Sequence, residues 1–273
     1  MGKKLSAKGK QKKKQRLTVV FLLVIIVVAI VVSTAAILLY LKENADNFGS
    51  SSSLSSDSVS SESTDSSAQS AEFSAVSESS AVDDSYFDDA VFVGDSLTVG
   101  LGNYGVLPAE NIYADIGLNL DTILTKECIQ TSDGSVTVLN ALKLKKPSKV
   151  YIMLGSNGIA WITPEKLAEK YAAFLSKVKA ELPDATIYVE SILPVTAEKQ
   201  AGDARYSNEA IVEYNKLLFN LAKEQKVNYL DCHTEFKMSD GTLNTEYAEQ
   251  DGMHLKKVGY NALFEFFKTH TVK

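Results

Sequence analysis

Ala90-Val91-Phe92-Val93-Gly94 is a short apolar run that closes on glycine and hands over to Asp95-Ser96-Leu97. Five residues rich in β-branched and aromatic side chains predict a strand with Val91 and Val93 buried. Working outward, comparable runs lie at Ile112 to Ile116, Lys149 to Leu154, Thr186 to Ile192 and Val227 to Leu230. Longer amphipathic segments separate or follow them. The clearest are Pro164 to Leu182, with Thr163 as N-cap and proline at the first helical position, Asn208 to Gln225, and Lys256 to about Thr269. Short apolar runs alternating with amphipathic ones predict a five-stranded parallel sheet covered by helices.

Composition divides the chain of 273 residues unevenly. Residues 1–16 carry eight basic side chains and no acid, and residues 17–41 carry no charge at all. As a helix the uncharged stretch would be about 37 Å long, enough to span a hydrocarbon core of about 30 Å with some tilt. It exceeds the apolar region of a cleavable signal peptide, and no small-x-small cleavage site follows Leu41, so the sequence predicts a retained signal-anchor. The basic flank should stay cytoplasmic, which places everything after Leu41 outside the cell.

Residues 42–82 are dominated by serine with scattered Asp and Glu, a composition that predicts a disordered linker. The remainder, 83–273, is long enough to bury a core without staples and is expected to form one domain. Taking the eight N-terminal cations from the 28 Lys and Arg leaves 20 against 34 acids, so the part after the tail carries about −14 although the chain totals −6. That balance argues against nucleic acid as a partner, since phosphate recognition needs clustered positive charge. Cys128 and Cys232 stand far apart and in no metal-ligand spacing. On the oxidising side of a membrane they could pair or remain two buried thiols.

Four islands carry chemistry. Gly94-Asp95-Ser96 follows the first strand, Gly117 follows the second, Gly155-Ser156-Asn157-Gly158 follows the third, and Asp251-Gly252-Met253-His254 precedes the last helix. Ser96 alone could simply start a helix, Asn157-Gly158 is a common turn, and Asp251 could be a helix cap. Together they supply what a serine nucleophile needs: an imidazole to take its proton and a carboxylate to orient the imidazole. Thr98 stands where a nucleophile elbow of the Gly-x-Ser-x-Gly type would place its last glycine, which disfavours an α/β-hydrolase. His233 and His270 lack such a partner in the local sequence.

In this order the islands resemble the SGNH/GDSL hydrolase superfamily, from about Tyr86 to the C-terminus, most strongly over Val91 to Thr98 and Asp251 to Tyr260. The resemblance implies a flavodoxin-like α/β/α sandwich. It also implies Ser96 as nucleophile, His254 as general base and then acid, and Asp251 as the group holding the imidazole. The Ser96 and Gly117 backbone N–H groups and the Asn157 amide would form the oxyanion hole. The family's third block usually reads Gly-x-Asn-Asp, and Gly158 replaces the final Asp, which leaves open what braces the Asn157 loop. Leu97, Ile159, Trp161 and Met253 are candidates to line an acyl pocket.

The expected function is an extracytoplasmic serine esterase acting through an acyl-enzyme on an ester substrate such as an acetylated cell-wall or surface glycan. No metal or organic cofactor is required. The alternatives are an O-acyltransferase working with a separate membrane partner that supplies acyl groups, a lipid esterase, and a glycan-binding domain whose active site has decayed.

Overall fold

The structure, a computed structural model, describes residues 73–272. The expected membrane span, the basic tail and linker residues 42–72 lie outside the described residues. No helix among the described residues is long and apolar enough to cross a membrane.

Five strands, β1 (Ala90–Gly94), β2 (Ile112–Ala114), β5 (Lys149–Met153), β6 (Thr186–Glu190) and β7 (Asn228–Leu230), pair in the order β2-β1-β5-β6-β7. Every pairing is parallel. β3 (Ile129–Thr131) and β4 (Gly134–Val136) form a small antiparallel hairpin that the hydrophobic pattern does not announce. The helices are α1 (Ser96–Asn103), α2 (Val138–Lys145), α3 (Pro164–Glu181), α4 (Ala197–Gly202), α5 (Asn208–Gln225), α6 (Cys232–Phe236) and α7 (Lys257–Thr269). The chain steps from β1 to β2 in one direction and from β2 through β5 and β6 to β7 in the other. With right-handed crossovers, α1 falls on one face of the sheet and α2, α3 and α5 on the opposite one. This is the three-layer α/β/α arrangement expected from the sequence, and its strand order reverses beside β1.

Burial on both faces explains why the central strands read as unbroken apolar runs. On the α7 side the register sets Phe92 opposite Tyr151 and Tyr151 opposite Tyr188. Their rings stack at centroid separations of 4.5 and 4.4 Å. Phe267 of α7 covers this ladder, 5.5 Å from Phe92 and 5.6 Å from Tyr151. On the other side Tyr171 of α3 donates its hydroxyl to the Ile152 carbonyl at 2.9 Å, and Tyr214 of α5 donates to Leu154 O at 2.9 Å. Those two bonds set the depth at which the helices sit over β5.

The expected boundary at 83 is corrected. Residues 73–82 have no regular secondary structure, yet they pack as a strap on the domain. Val76 N–H donates to Tyr229 O on edge strand β7, and Ser79 and Val82 donate to the carbonyls of Thr269 and Lys268. Phe73 sets its ring edge-on to Phe219 of α5 at 5.1 Å, and Phe219 meets Tyr229 in the same way. Serine-rich composition masked these few anchoring side chains. Because Phe73 is only partly buried, Phe73→Ala should lower stability by about 1–2 kcal/mol, short of the full cost of emptying a core site, as read from urea unfolding.

Glu190 ends β6 and is 3% exposed. Burial raises its carboxyl from the ordinary 4.5 to about 8, so the proton-bound form is favoured in the folded state at neutral pH. The folded chain therefore holds a proton that the unfolded chain releases between about pH 4.5 and 8, and stability falls as pH rises through that window. Glu190→Gln should remove this loss. Urea unfolding should show the variant gaining a few kcal/mol over the wild type at pH 9 and little at pH 4.

Candidate active site

Ser96 is the first residue of α1, directly after β1. Asp95 caps the helix, its Oδ1 accepting from Leu97 N–H at 3.1 Å. The turn is tight. A Cβ on Gly94 would lie 1.9 Å from Thr98 Oγ1 and 2.7 Å from the Met153 carbonyl, and one on Gly100 would overlap the Tyr260 hydroxyl. Gly94 thus lets β1 lie close to the start of α1, and Gly100 lets α1 lie against α7.

Asp251 and His254 sit on a loop just before α7. Glu249 N–H donates to His254 O, Gly252 N–H to Glu249 O, and Lys256 N–H to Tyr247 O, closing the loop on itself. Thr196 N–H donates to Gly252 O, which ties it to the segment after β6, and Tyr104 at the end of α1 donates its hydroxyl to Glu249 Oε1. The Asp251 Oδ1 atom accepts from the Met253 and His254 backbone N–H groups, each at 3.0 Å. Its Oδ2 lies 2.5 Å from His254 Nδ1. His254 Nε2 in turn lies 2.8 Å from Ser96 Oγ. Three residues drawn from two distant stretches of sequence therefore form one continuous hydrogen-bonded line.

Electrostatics favour a defined proton arrangement. Partial burial alone would raise the Asp251 carboxyl, but the bonds from the His254 ring and from two backbone N–H groups outweigh it and hold the group below its ordinary range. Ionised Asp251 fixes the proton on Nδ1, which leaves Nε2 with a lone pair facing the Ser96 hydroxyl. The arrangement can carry a proton from the hydroxyl to the ring.

Asn157 lies beyond the end of β5, next to β1, where the strand order reverses. Its amide donates to Asp95 Oδ2 and to Leu118 O, both at 3.2 Å. The replacement of Asp by Gly at 158 therefore leaves the loop braced. Asp95 and Leu118 hold Asn157, Gly158 and Ile159 N–H donate to Gly155 O, and a Cβ on Gly158 would overlap a methyl of Leu167. Gly117 adopts a φ of +74° with open space on its Cβ side. Among the described residues its N–H and that of Ser96 donate to no protein acceptor.

The proposed pocket residues separate. Leu97 and Ile159 are 3% and 5% exposed and belong to the hydrophobic core, a correction that follows from their places on the inward faces of α1 and of the Asn157 loop. Trp161 is 69% exposed and Met253 is partly buried. His233 is buried on α6 and His270 stacks on Phe266, so neither joins the line. Cys128 and Cys232 are free thiols. The bracing role of Asp95 and the tie from Thr196 to Gly252 lie beyond the sequence expectations. A capping Asp before Ser96 signals the first, and nothing local signals the second.

Residues 92–262 match the model of the GDSL-like Lipase/Acylhydrolase family. The chain belongs to this family. Membership makes this GDSL chain a carboxylic ester hydrolase. Among solved structures, a Streptococcus pneumonia protein described in connection with platelet activating factor shares 23% identity over 66% of this chain and 82% of its own, at a TM-score of 0.53. A GDSL-like lipase from Bacteroides thetaiotaomicron shares 17% over 66% and 85%, at 0.51. At these identities the likeness shows the common GDSL fold. No curated protein matches the chain closely enough to count as a relative.

In this GDSL domain Gly252, with φ +72°, is the backbone position on which the Asp251–His254 loop depends. A Cβ there would lie 2.4 Å from Thr196 Oγ1 and 2.8 Å from Lys199 Cβ. Gly252→Ala should cost about 1–3 kcal/mol in stability, since it meets both a positive φ and occupied space. It should also lower kcat on p-nitrophenyl acetate more than it raises KM, as steady-state kinetics would show.

Proposed function

We propose that the chain is a serine esterase that removes short acyl groups, acetyl foremost, from the hydroxyls of a cell-wall or surface glycan. It does so outside a membrane to which residues 17–41 anchor it. The observation that carries the reading is the line from Ser96 Oγ through His254 to Asp251, at 2.8 and 2.5 Å.

Ser96 Oγ attacks the acyl carbonyl carbon while its proton passes to His254 Nε2, and Asp251 holds the resulting imidazolium. Negative charge gathers on the carbonyl oxygen, which accepts from the Ser96 and Gly117 N–H groups. Asn157 adds its amide by exchanging one of its two 3.2 Å bonds for the oxyanion. Collapse breaks the ester C–O bond, and the departing glycan oxygen takes the proton from His254. A water molecule then attacks the acyl-enzyme, giving its proton to His254; the Ser96–acyl bond breaks, Ser96 Oγ takes that proton back from His254 Nε2, and the carboxylic acid leaves.

Two observations favour a small acyl group on a large polar carrier. The His254 and Asp251 side chains are 37% and 48% exposed, so the site opens onto the surface instead of ending an apolar tunnel. Leu97 and Ile159, which could have lined such a tunnel, are committed to the core. The location outside the membrane is supported by the uncharged stretch, its basic flank and the serine-rich linker.

Steady-state assays of the full-length chain in detergent micelles test the reading. Acetate esters should be turned over faster than butyrate or octanoate esters of p-nitrophenol. Ser96→Ala should lower kcat by at least about 10³, and Asn157→Ala by about 10² to 10³. Release of acetate from an O-acetylated glycan should depend on Ser96. Preference for octanoate would turn the reading toward lipids, and acetyl transfer to an added sugar in place of acetate release would turn it toward a transferase.

A further inference from the structure

Trp161 is the only tryptophan of the chain and 69% of it is exposed, an unusual position for its largest flat apolar side chain. It is nevertheless firmly placed. It sits four residues after Asn157 on the turn that leaves β5, and that turn is anchored by buried Ile159 and by Gly158 against Leu167. Trp161 N–H donates to Gly158 O at 2.9 Å.

The ring is also oriented from the side. The Arg205 guanidinium lies over it, 4.5 Å from the ring centre. Arg205 in turn is held by a two-pronged bond to Asp203, Nε to Oδ1 at 2.8 Å and Nη2 to Oδ2 at 2.7 Å. The bond from Arg205 holds the Asp203 carboxyl down to about 2, so the clamp persists through the neutral range. Asp203 follows α4, the helix whose N-cap Thr196 bonds Gly252 in the histidine loop. On the same helix Lys199 places its ammonium 4.3 Å from the ring centre of Tyr206. The loop bearing Asn157 and the loop bearing His254 are thus joined across one rim by an aromatic ring, a guanidinium and a carboxylate.

The Trp161 ring takes no part in the hydrophobic core. A ring held on one side by a clamped cation and 69% exposed is a flat platform on the loop that carries Asn157. Resting on the esterase reading above, we propose that Trp161, oriented by Arg205 and Asp203, stacks on the pyranose ring that carries the acyl ester, and that this contact selects glycan esters over simple ones. The C–H groups on one face of a pyranose suit the negative face of an indole, while the sugar hydroxyls keep their hydration at the edge. An acyl tail would instead require concave apolar cover, and the groups that hold this ring, Arg205 and Asp203, are charged. Trp161 acts here as a specificity-determining residue, and Arg205 and Asp203 act through it as positioning residues.

The lone tryptophan makes a direct test available. The full-length Ser96→Ala chain in detergent micelles is titrated with partly O-acetylated cellotetraose while tryptophan emission is followed. A saturable change in emission is expected, with the half-saturation point moved upward in Arg205→Gln. In parallel, on the active chain, Trp161→Ala should raise KM for the acetylated tetraose by about five- to ten-fold, with kcat/KM for p-nitrophenyl acetate within about two-fold of wild type and partial recovery in Trp161→Phe. Unchanged emission at saturating ligand overturns the proposal, as does an unchanged KM in Trp161→Ala. A matching loss on p-nitrophenyl acetate also overturns it, because that would mark a structural role. If emission responds but no acetylated glycan is hydrolysed, the glycan-esterase reading falls and the platform stands. If the glycan is hydrolysed through Ser96 with no effect of Trp161→Ala, the reverse holds.

Discussion

One buried carboxylate ties the two halves of the site together. Asp95, 1% exposed, uses Oδ1 to cap the helix that begins with Ser96 and Oδ2 to hold the amide of Asn157 on the neighbouring strand's loop. Nucleophile and candidate oxyanion donor are thereby referred to the same side chain, across the junction where the strand order reverses. Burial pushes its carboxyl up to about 6, and the bond from Leu97 N–H and attraction to His254 oppose that rise. The fold holds a costly charge in the interior, and its placement gives that cost a purpose.

The remaining elements hold that junction in place. The stacked ladder of Phe92, Tyr151 and Tyr188 fixes β1, β5 and β6 in register, so the loops after β1 and β5 emerge side by side. Phe267 packs α7 onto the same ladder, and α7 follows directly from the histidine loop. The core thus sets the height of His254 over Ser96, while Thr196 and Tyr104 steady the loop from either side. Stability and site geometry draw on the same aromatic layer.

Much of this was legible in the sequence because it is written in local signals. Each sheet strand appeared as a short apolar run, and Thr163-Pro164 announced α3 by capping chemistry. Ser96, Asp251 and His254 stand in short motifs whose order along the chain is itself a signal. The illegible part consists of contacts between distant segments. Nothing local in Asn157-Gly158 says that Asp95 braces it, and nothing in Gly252 says that Thr196 and Lys199 crowd it. An apolar residue beside a motif can face the core as easily as the substrate, and Leu97 and Ile159 are buried in the core. The strap at 73–82 is illegible because a composition average hides three or four anchoring residues among serines.

The strap has a further consequence for how the molecule behaves in a crowd. An edge strand offers its backbone to any neighbouring chain, and β7 is such an edge. Val76 occupies the Tyr229 carbonyl there, and Phe73 covers the aromatic pair of Phe219 and Tyr229 beside it. The segment that joins the domain to the rest of the chain therefore also serves as its guard against strand-to-strand self-association.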